Sequence, residues 1–176
     1  MVDGQRGDQV RIRLVDYRAG WPALYEREAV RIRAALGERV LLLEHVGSTA
    51  VPGLAAKPII DLCLAVADPA VEAQYVPPLE QVGYVLRIRE PDWFQHRLFN
   101  GPDTPVNVHV FGRGAAEITR MVRFRDRLRS HPEDRQLYAQ TKATLAARTW
   151  PSVQHYADAK SDVIQRVLVR AVRDDQ

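Results

Sequence analysis

Hydrophobic residues recur along this chain with two different periods, and the change from one period to the other predicts the order of its elements. A helical spacing of apolar residues between Pro22 and Gly37 predicts a first amphipathic helix. Apolar runs and alternations of period two then predict strands, and the spacing becomes helical again from Ala115 onward. The predicted strands cover Val10–Val15 at a sheet edge, Val40–Val46, Ile59–Val66, Tyr84–Ile88, Trp93–Phe99 and Val106–Phe111.

Helices are predicted mainly in the last third of the chain. One helix follows Ala115, a second begins at His131-Pro132, and a last one is capped by Ser152. A further helix over Pro69–Val82 has to be interrupted by its pair of prolines. The elements together predict an α/β or α+β fold, with a mixed sheet of about five strands, flanking helices and a C-terminal helical part.

The length of 176 residues fits one domain. We expect residues 1–9 to be a flexible leader and residues 10–174 to form a single domain, with the sheet core at 10–112 and the C-terminal helices at 113–174. The chain is 46% hydrophobic and 27% charged, which excludes a mainly disordered or fibrous protein.

Three features of the sequence predict a cytoplasmic protein. The single cysteine, Cys63, excludes an internal disulfide framework and fits a reducing compartment. No apolar run is long enough to cross a bilayer, and the N-terminal residues lack the apolar core of a secretory signal. We therefore expect no membrane partner.

The charge of the chain is carried very unevenly by its two basic residue types. The net charge is only +3, and of the 25 Lys and Arg residues just three are lysines, Lys57, Lys142 and Lys160. So small an excess, spread over one domain, gives little support to a nucleic-acid partner, which we do not expect.

The segment from Glu44 to Cys63 carries the strongest chemical signal. A strand ends in Gly47-Ser48, a tight turn follows, and the next strand carries Asp61 among apolar residues. A glycine lets the backbone approach a ligand closely, and the serine adjoining it offers an N–H and a hydroxyl that suit a phosphate. A carboxylate in an apolar strand has to be paired, hydrogen-bonded or metal-bound. The alternatives are a plain turn and a structural, ion-paired aspartate.

This segment closely resembles the GrpB-like family, which belongs to the nucleotidyltransferase superfamily. The resemblance rests on His45–Asp61, with the sequence HVGSTAVPGLAAKPIID, and continues in the motifs VNVHVF (Val106–Phe111), RFRDRLRSHP (Arg123–Pro132) and YADAK (Tyr156–Lys160). It implies a nucleotidyltransferase-like α/β fold over nearly the whole chain. Some members of the family are fused to dephospho-CoA kinase, which implies a functional link to that enzyme.

The resemblance also implies catalytic roles for Ser48, Asp61 and His109. Active nucleotidyltransferases use the serine to cradle phosphates and three acidic residues, two of them in an Asp-x-Asp pair, to hold two Mg²⁺ ions. Here Ser48 and Asp61 match, Cys63 stands at the second acid and His109 stands near the third. Asp61 and His109 are thus the implied ligands of Mg²⁺ or another divalent metal. Because a thiol and an imidazole are poor Mg²⁺ ligands, a single ion, a softer metal or a loss of catalysis are all open.

The other candidate ligand contacts lie at the turn and on two lysines. The residues expected to bind the phosphates are His45, Gly47, Ser48, Thr49, Lys57 and Lys160. A separate hypothesis joins Asp61 and His109 to either His45 or His96 in a transition-metal site of two histidines and one carboxylate. Packing alone is the competing explanation for each histidine.

Three functions compete on this sequence. The first is metal-dependent transfer of a nucleotidyl group from a nucleoside triphosphate to an acceptor. The second is a catalytically degenerate module that binds a nucleotide or a coenzyme-A-like ligand. The third is an RNA-associated protein that uses the helix face of Arg120, Arg123 and Arg127. The first two share one expected partner, a nucleotide or another phosphorylated small molecule.

Overall fold

The computed structural model describes residues 9–175, and its centre is a five-stranded mixed sheet. The sheet and the elements that precede or join its strands are β1 (Val10–Arg11), α1 (Trp21–Leu36), β2 (Leu42–Val46), β3 (Ile60–Val66), α2 (Val76–Gln81), β4 (Val85–Glu90), β5 (His96–Asn100) and β6 (Val106–Gly112). The C-terminal part consists of α3 (Ala116–Ser130), α4 (Pro132–Ala146), β7 (Thr149–Trp150), α5 (Val153–Ala159) and α6 (Ser161–Asp174). Single 3₁₀ turns occupy Gly37–Arg39, Ser48–Ala50 and Glu72–Gln74.

The strands of the sheet lie in the order β2-β3-β6-β5-β4. Only the central pair, β3 and β6, is parallel, and the other neighbours are antiparallel. This order brings Asp61 next to Asn107 and Cys63 next to His109 across the parallel pair. The predicted mixed sheet with flanking helices and a C-terminal helical part is therefore confirmed.

The two faces of the sheet have different partners because side chains alternate along each strand. Ile60, Leu62 and Leu64 pack in the same core as the buried residues of α1 and α2. The intervening residues of β3 face the other way, where Cys63 packs with Ile118 of α3. Asp61 lies on this second face, near the point where β3 begins.

The C-terminal helices hold the loop that follows β2. Val51 and Leu54 of that loop are fully buried and share a core with Leu128 of α3, Tyr138 of α4 and Val167 of α6. The helices therefore fix the Gly47-Ser48 turn from the side opposite the sheet. Side chains from α4 and α5 can reach this turn for the same reason.

Several predicted element bounds were wrong. The Val10–Val15 segment does not join the main sheet, because β1 pairs with β7 and Val15 makes only an isolated bridge to Ala56. The predicted strand over Trp93–Phe99 begins only at His96, since Trp93 to Gln95 form a turn. The helix over Pro69–Val82 is reduced to a 3₁₀ turn and the six residues of α2.

The last predicted helix is divided into α5 and α6 at Lys160. The predicted cap is confirmed, since the Ser152 side chain accepts a hydrogen bond from the backbone N–H of His155. All but the last residue of the predicted flexible leader, 1–9, lies outside the described residues. In the described part of the chain, no helix is long and apolar enough to cross a membrane.

Candidate functional site

The Gly47-Ser48 turn lies directly against the Asp61 carboxylate. Gly47 has φ +74° and ψ −177°, a conformation that essentially only glycine adopts. A Cβ atom at this position would lie 2.8 Å from Oδ2 of Asp61. Glycine is therefore required here both by its backbone angles and by the close approach to the carboxylate.

Asp61 is the inner end of a chain of four hydrogen-bonded side chains. Its Oδ1 lies 3.2 Å from Nε2 of His109, and Nδ1 of His109 lies 3.1 Å from Nε2 of His96. Nδ1 of His96 lies 2.6 Å from Oε2 of Glu90, which is exposed at the end of β4. The chain thus connects the carboxylate beside Gly47 to the protein surface.

The number of hydrogens in this chain follows from its chemistry. Its three hydrogen bonds need three hydrogens, and two neutral imidazoles supply one each, while a carboxylate can only accept. The chain is complete only when it holds one more proton, which makes one imidazole cationic. Burial lowers the pKa of His96, and the hydrogen bond with Glu90 opposes that effect. Because the Asp61 carboxylate can only accept, its hydrogen bond with His109 requires the proton on Nε2 of that ring.

A buried lysine holds the serine of the turn. Nζ of Lys142, on α4, lies 2.9 Å from Oγ of Ser48 and also donates to the carbonyl of Ala55. The ammonium group lies 4.9 Å from the centre of the Tyr138 ring. Lys142 is only 2% exposed, and burial, reinforced by Lys160 and Lys57, lowers its pKa to about 7.

The other two lysines meet above one tyrosine. Nζ of Lys160 and Nζ of Lys57 lie 4.7 and 5.9 Å from the centre of the Tyr156 ring. Burial, reinforced by Lys57, lowers the pKa of Lys160 to about 8, and the Asp61 carboxylate partly opposes this shift. The Tyr156 hydroxyl is buried and has no hydrogen-bond partner among residues 9–175. All three lysines of the chain therefore converge beside Ser48 and Asp61, and we call this group the lysine cluster.

The position of the second acid in the family pattern is closed to a ligand. Cys63 is fully buried, and burial raises the pKa of its thiol to about 12. Glu44, its neighbour on β2, is held by Nη1 of Arg125 at 2.6 Å. Nowhere in the described part of the chain do three His, Cys, Asp or Glu side chains lie close enough to hold a metal ion. The donor set does not fit a pair of Mg²⁺ ions, which need hard oxygen ligands.

The hypothesis that His45 joins Asp61 and His109 in a metal site is wrong. His45 is paired with Leu62 across β2 and β3, so it lies on the sheet face opposite Asp61. Its ring is stacked on Tyr25 at 4.9 Å, and its Nε2 lies 3.0 Å from Oγ1 of Thr49. Burial, reinforced by Arg129, lowers the pKa of His45 to about 4, which keeps the ring neutral.

Thr49 is also turned away from the lysine cluster. It is 1% exposed, and its hydroxyl donates to the carbonyl of Ile59 at 3.2 Å. The side chains of His45 and Thr49 therefore stabilise the turn through buried contacts and do not face the lysine cluster. The alternative metal site with His96 is not formed either, since both ring nitrogens of His96 are hydrogen-bonded to side chains.

The arginine face on α3 is occupied by carboxylates. Arg127 is buried between Asp134 and Asp174, and Arg120 lies 3.2 Å from Glu117. Arg123 lies 3.7 Å from Asp175. Because these guanidinium groups are paired, they do not form a free cationic surface.

Cavity size does not single out the candidate site. Two grooves of about 650 and 690 Å³ run beside α3 and α6, and neither is lined by Ser48, Asp61 or a lysine. Both are lined by arginines and apolar side chains, and the first also by three aspartates. The convergence of charged side chains, and not the volume of a groove, therefore identifies the candidate site.

Lys142 contacts Ser48 but is absent from the set of ligand-binding residues expected from the sequence. The sequence places it four residues after Tyr138 on one helix face, but gives no sign that α4 crosses the Ser48 turn. One signal was available: the chain keeps only three lysines among 25 basic residues. All three lie at one site, so the rarity of lysine in this sequence indicates which residues belong to the site.

The protein is an α/β protein with a mixed five-stranded sheet. Its site consists of a Gly-Ser turn that lies against a strand carboxylate, together with lysines that include those of the C-terminal helical part. Within that class, the family model described as GrpB protein matches residues 11–170. The chain therefore belongs to the GrpB family.

Similar proteins agree with this assignment. A UPF0157 protein of Halalkalibacterium halodurans is 59% identical over 91% of this chain and 82% of its own length. A UPF0157 protein of Streptomyces coelicolor is 47% identical over 93% of this chain and 86% of its own. The crystal structure of the conserved protein GrpB from Enterococcus faecalis has a TM-score of 0.79 and 31% identity, and the match covers 92% of this chain and 98% of that one.

Proposed function

We propose that this protein binds the phosphate groups of a nucleotide at the lysine cluster and transfers the nucleotidyl group to an acceptor hydroxyl beside Asp61. The observation that carries the proposal is the lysine cluster, in which Lys142 contacts Ser48 while Lys57 and Lys160 lie over the neighbouring Tyr156 ring. Cytoplasmic localisation and a link to dephospho-CoA kinase accompany this proposal as predictions.

The electrostatics of the cluster support an anionic ligand. Buried ammonium groups are costly unless they are paired with negative charge. Burial, with Lys160 and Lys57 nearby, lowers the pKa of Lys142, and burial with Lys57 nearby lowers the pKa of Lys160, where Asp61 opposes the effect. A triphosphate would supply the missing negative charge, so its binding would return protons to Lys142 and Lys160.

The position of Asp61 supports the transfer step. Its Oδ1 accepts from His109, while its Oδ2 faces the turn at Gly47, beside Ser48. The acceptor oxygen would form a bond to the α-phosphorus, its proton would pass to Asp61, and the bond to the leaving pyrophosphate would break. The lysine cluster would hold the pyrophosphate and its charge. The chain's donor set does not fit the two-metal form of this reaction, and no step above depends on a metal ion.

One observation favours the second candidate function, a binding module without catalysis. Cys63 is buried where active nucleotidyltransferases place an acidic residue, so Asp61 has no second carboxylate on its strand. Such a module would bind a nucleotide or a coenzyme-A-like ligand by its phosphates and would leave it unchanged. The two functions share the lysine cluster and differ in the role of Asp61.

Calorimetric titration tests the proposal. Inorganic tripolyphosphate, the four nucleoside triphosphates and dephospho-CoA are titrated, with and without Mg²⁺, into the wild type and into Lys160→Met and Asp61→Asn. We expect at least a tenfold loss of affinity in Lys160→Met, whereas Arg148→Met removes an exposed cation that lies over Trp150 and serves as the matched control. Unchanged tripolyphosphate binding in Lys160→Met would refute the phosphate site.

Asp61→Asn distinguishes the two functions. If transfer occurs, Asp61→Asn abolishes the release of pyrophosphate from the triphosphate that binds, while binding itself persists. If the protein is a binding module, neither form releases pyrophosphate. If Asp61→Asn loses triphosphate binding only in the titrations that contain Mg²⁺, Asp61 would instead be the ligand of a single metal ion that is bound together with the phosphates.

A further inference from the structure

Two aromatic side chains are exposed in the turn between β4 and β5. Trp93 is 42% exposed and Phe94 is 44% exposed. Large apolar rings at the surface are unfavourable in water, and a contiguous pair often marks a binding surface. These two adjacent rings therefore need a physical explanation.

The backbone of this turn is held in a conformation that its residues do not favour. Phe94 and Gln95 have φ angles of 52° and 54°, and they are the residues with positive φ, other than glycines, in the described part of the chain. Positive φ is uncommon for residues with a side chain and is a clear outlier for a bulky one. Backbone strain of this kind clusters at functional sites.

The Trp93 ring is fixed by its neighbours although much of it is exposed. Its centre lies 4.9 Å from that of His96 and 5.7 Å from that of Phe111, both at steep angles between the ring planes. Phe94 lies 5.8 Å from Trp93 in a similar edge arrangement. Two buried partners thus hold one side of Trp93, and the remaining surface of the ring is open to a ligand.

The aromatic turn is continuous with the candidate site. His96, which contacts Trp93, is hydrogen-bonded to His109, and His109 is hydrogen-bonded to Asp61. Three successive contacts therefore lead from the open ring to the carboxylate beside Ser48.

Charge differs between the two ends of this path. The lysine cluster is cationic, whereas Trp93 is flanked in sequence by Glu90 and Asp92, both exposed. Phosphates would be repelled from the carboxylates and attracted to the lysines. An uncharged planar ring with N–H donors suits the aromatic end.

We propose that Trp93 and Phe94 form a stacking platform for the base of the nucleotide whose phosphates lie at the lysine cluster. This proposal rests on the proposed function. It adds a contact for the base of the nucleotide to the contacts already proposed for its phosphates. Stacking on an aromatic ring accepts any base, so the platform selects nucleotides over simple polyphosphates without selecting one base strongly.

The test compares ligands that do and do not carry a base. ATP, CTP and inorganic tripolyphosphate are titrated into the wild type, Trp93→Ala, Trp93→Phe and Phe94→Ala, with Trp150→Phe as the control. We expect Trp93→Ala to weaken ATP and CTP binding at least about fivefold, while tripolyphosphate binding stays unchanged. Trp93→Phe keeps a ring against Phe111 and should retain most of the affinity, which separates stacking from misfolding.

Two results would overturn the platform. One is unchanged ATP affinity in both Trp93→Ala and Phe94→Ala, and the other is an equal loss of ATP and tripolyphosphate affinity in a folded variant. If the wild type binds no tripolyphosphate, the phosphate site fails, and adenosine alone then decides the platform through tryptophan fluorescence. Quenching by adenosine that disappears in Trp93→Phe and persists in Trp150→Phe supports it, and absence of quenching in the wild type refutes it.

Discussion

The buried ammonium group of Lys142 should make the ligand-free protein less stable than it would be without that charge. Burial and the two neighbouring lysines lower its pKa from 10.5 to about 7. At pH 7 the unfolded chain carries a fully protonated lysine, so the shift corresponds to a penalty of about 4 kcal/mol on the folded state. Replacing Lys142 by Met removes this penalty and keeps most of the side-chain volume.

The net effect is smaller because Lys142 also donates hydrogen bonds. Met leaves Ser48 and the Ala55 carbonyl without this donor, at a cost of about 1 kcal/mol each where water takes its place. We therefore expect Lys142→Met to gain about 2 kcal/mol at pH 7, or about 4–8 °C in Tm for a chain of this length. The same variant should lose most of the Tm rise that tripolyphosphate gives the wild type.

The pH dependence of this effect has a definite sign. Below pH 7 the lysine is protonated in both states, and the full penalty is present. As the pH rises from about 7 toward 10.5, the folded protein holds fewer protons than the unfolded chain, so wild-type stability increases relative to Lys142→Met. Since the lost hydrogen bonds cost about 2 kcal/mol at every pH, the two stabilities should become equal at about pH 9, and Lys142→Met should be the less stable protein near pH 10.5.

The assay is thermal and urea unfolding of both proteins between pH 6 and 10, with and without tripolyphosphate. Arg148→Met removes an exposed cation from the same region and should change neither the stability nor the response to tripolyphosphate by a measurable amount. A Lys142→Met protein that is less stable than the wild type at pH 7 and keeps the full tripolyphosphate response would refute this reasoning.

Three further predictions concern the rest of the site and the helical part. Gly47→Ala should destabilise the fold by about 1–3 kcal/mol in urea unfolding, since it combines a positive φ with a Cβ atom 2.8 Å from Oδ2 of Asp61. The Cys63 thiol should not react with Ellman's reagent at pH 8 until the protein is unfolded, because burial raises its pKa to about 12. Asp134→Ala should cost about 3 kcal/mol in the same unfolding measurement, because it removes the buried carboxylate shared by Arg127 and Arg170 and leaves the buried Arg127 with only the more exposed Asp174.

The sequence was most informative where a pattern is local. Val106–Phe111 was predicted as a strand, and its alternation puts His109 on the face opposite the three valines, which the register of β3 and β6 brings to Asp61. Periodicity gives the face of a residue but not its neighbour across the sheet, so the order of the strands was not predicted and is given by the structure. Contacts between distant segments depend on that order.

Patterns failed where tertiary contacts outweigh local preference. Alternation predicted a strand from Val10, but only two residues pair, because this segment lies against the connection between α4 and α5 and not against the main sheet. The apolar run from Trp93 resembled a strand, yet positive φ angles at Phe94 and Gln95 turn the backbone and expose two rings. No periodicity encodes such a turn.

The same limit explains Lys142. Its spacing from Tyr138 correctly predicts that the two share a helix face, and the ammonium group does lie over that ring. That this face meets Ser48 depends on how α4 packs on the loop after β2, through a core that joins segments about 90 residues apart. Sequence spacing within one helix contains no information on that packing.

The site has fewer acidic residues than the nucleotidyltransferase pattern and has lysines nearby, and this difference in charge determines which ligands it can bind. Cys63 is buried in the core, and His109 is occupied as a donor to Asp61, so one carboxylate remains where a metal pair needs three acids. The helical part brings Lys142 and Lys160 to this site, and Lys57 joins them from the loop before β3. Fixed ammonium groups neutralise phosphate charge without carboxylate ligands, because they contact the oxygens directly. A site of this composition should therefore bind tripolyphosphate in the presence of a metal chelator, which a site built on two Mg²⁺ ions would not do.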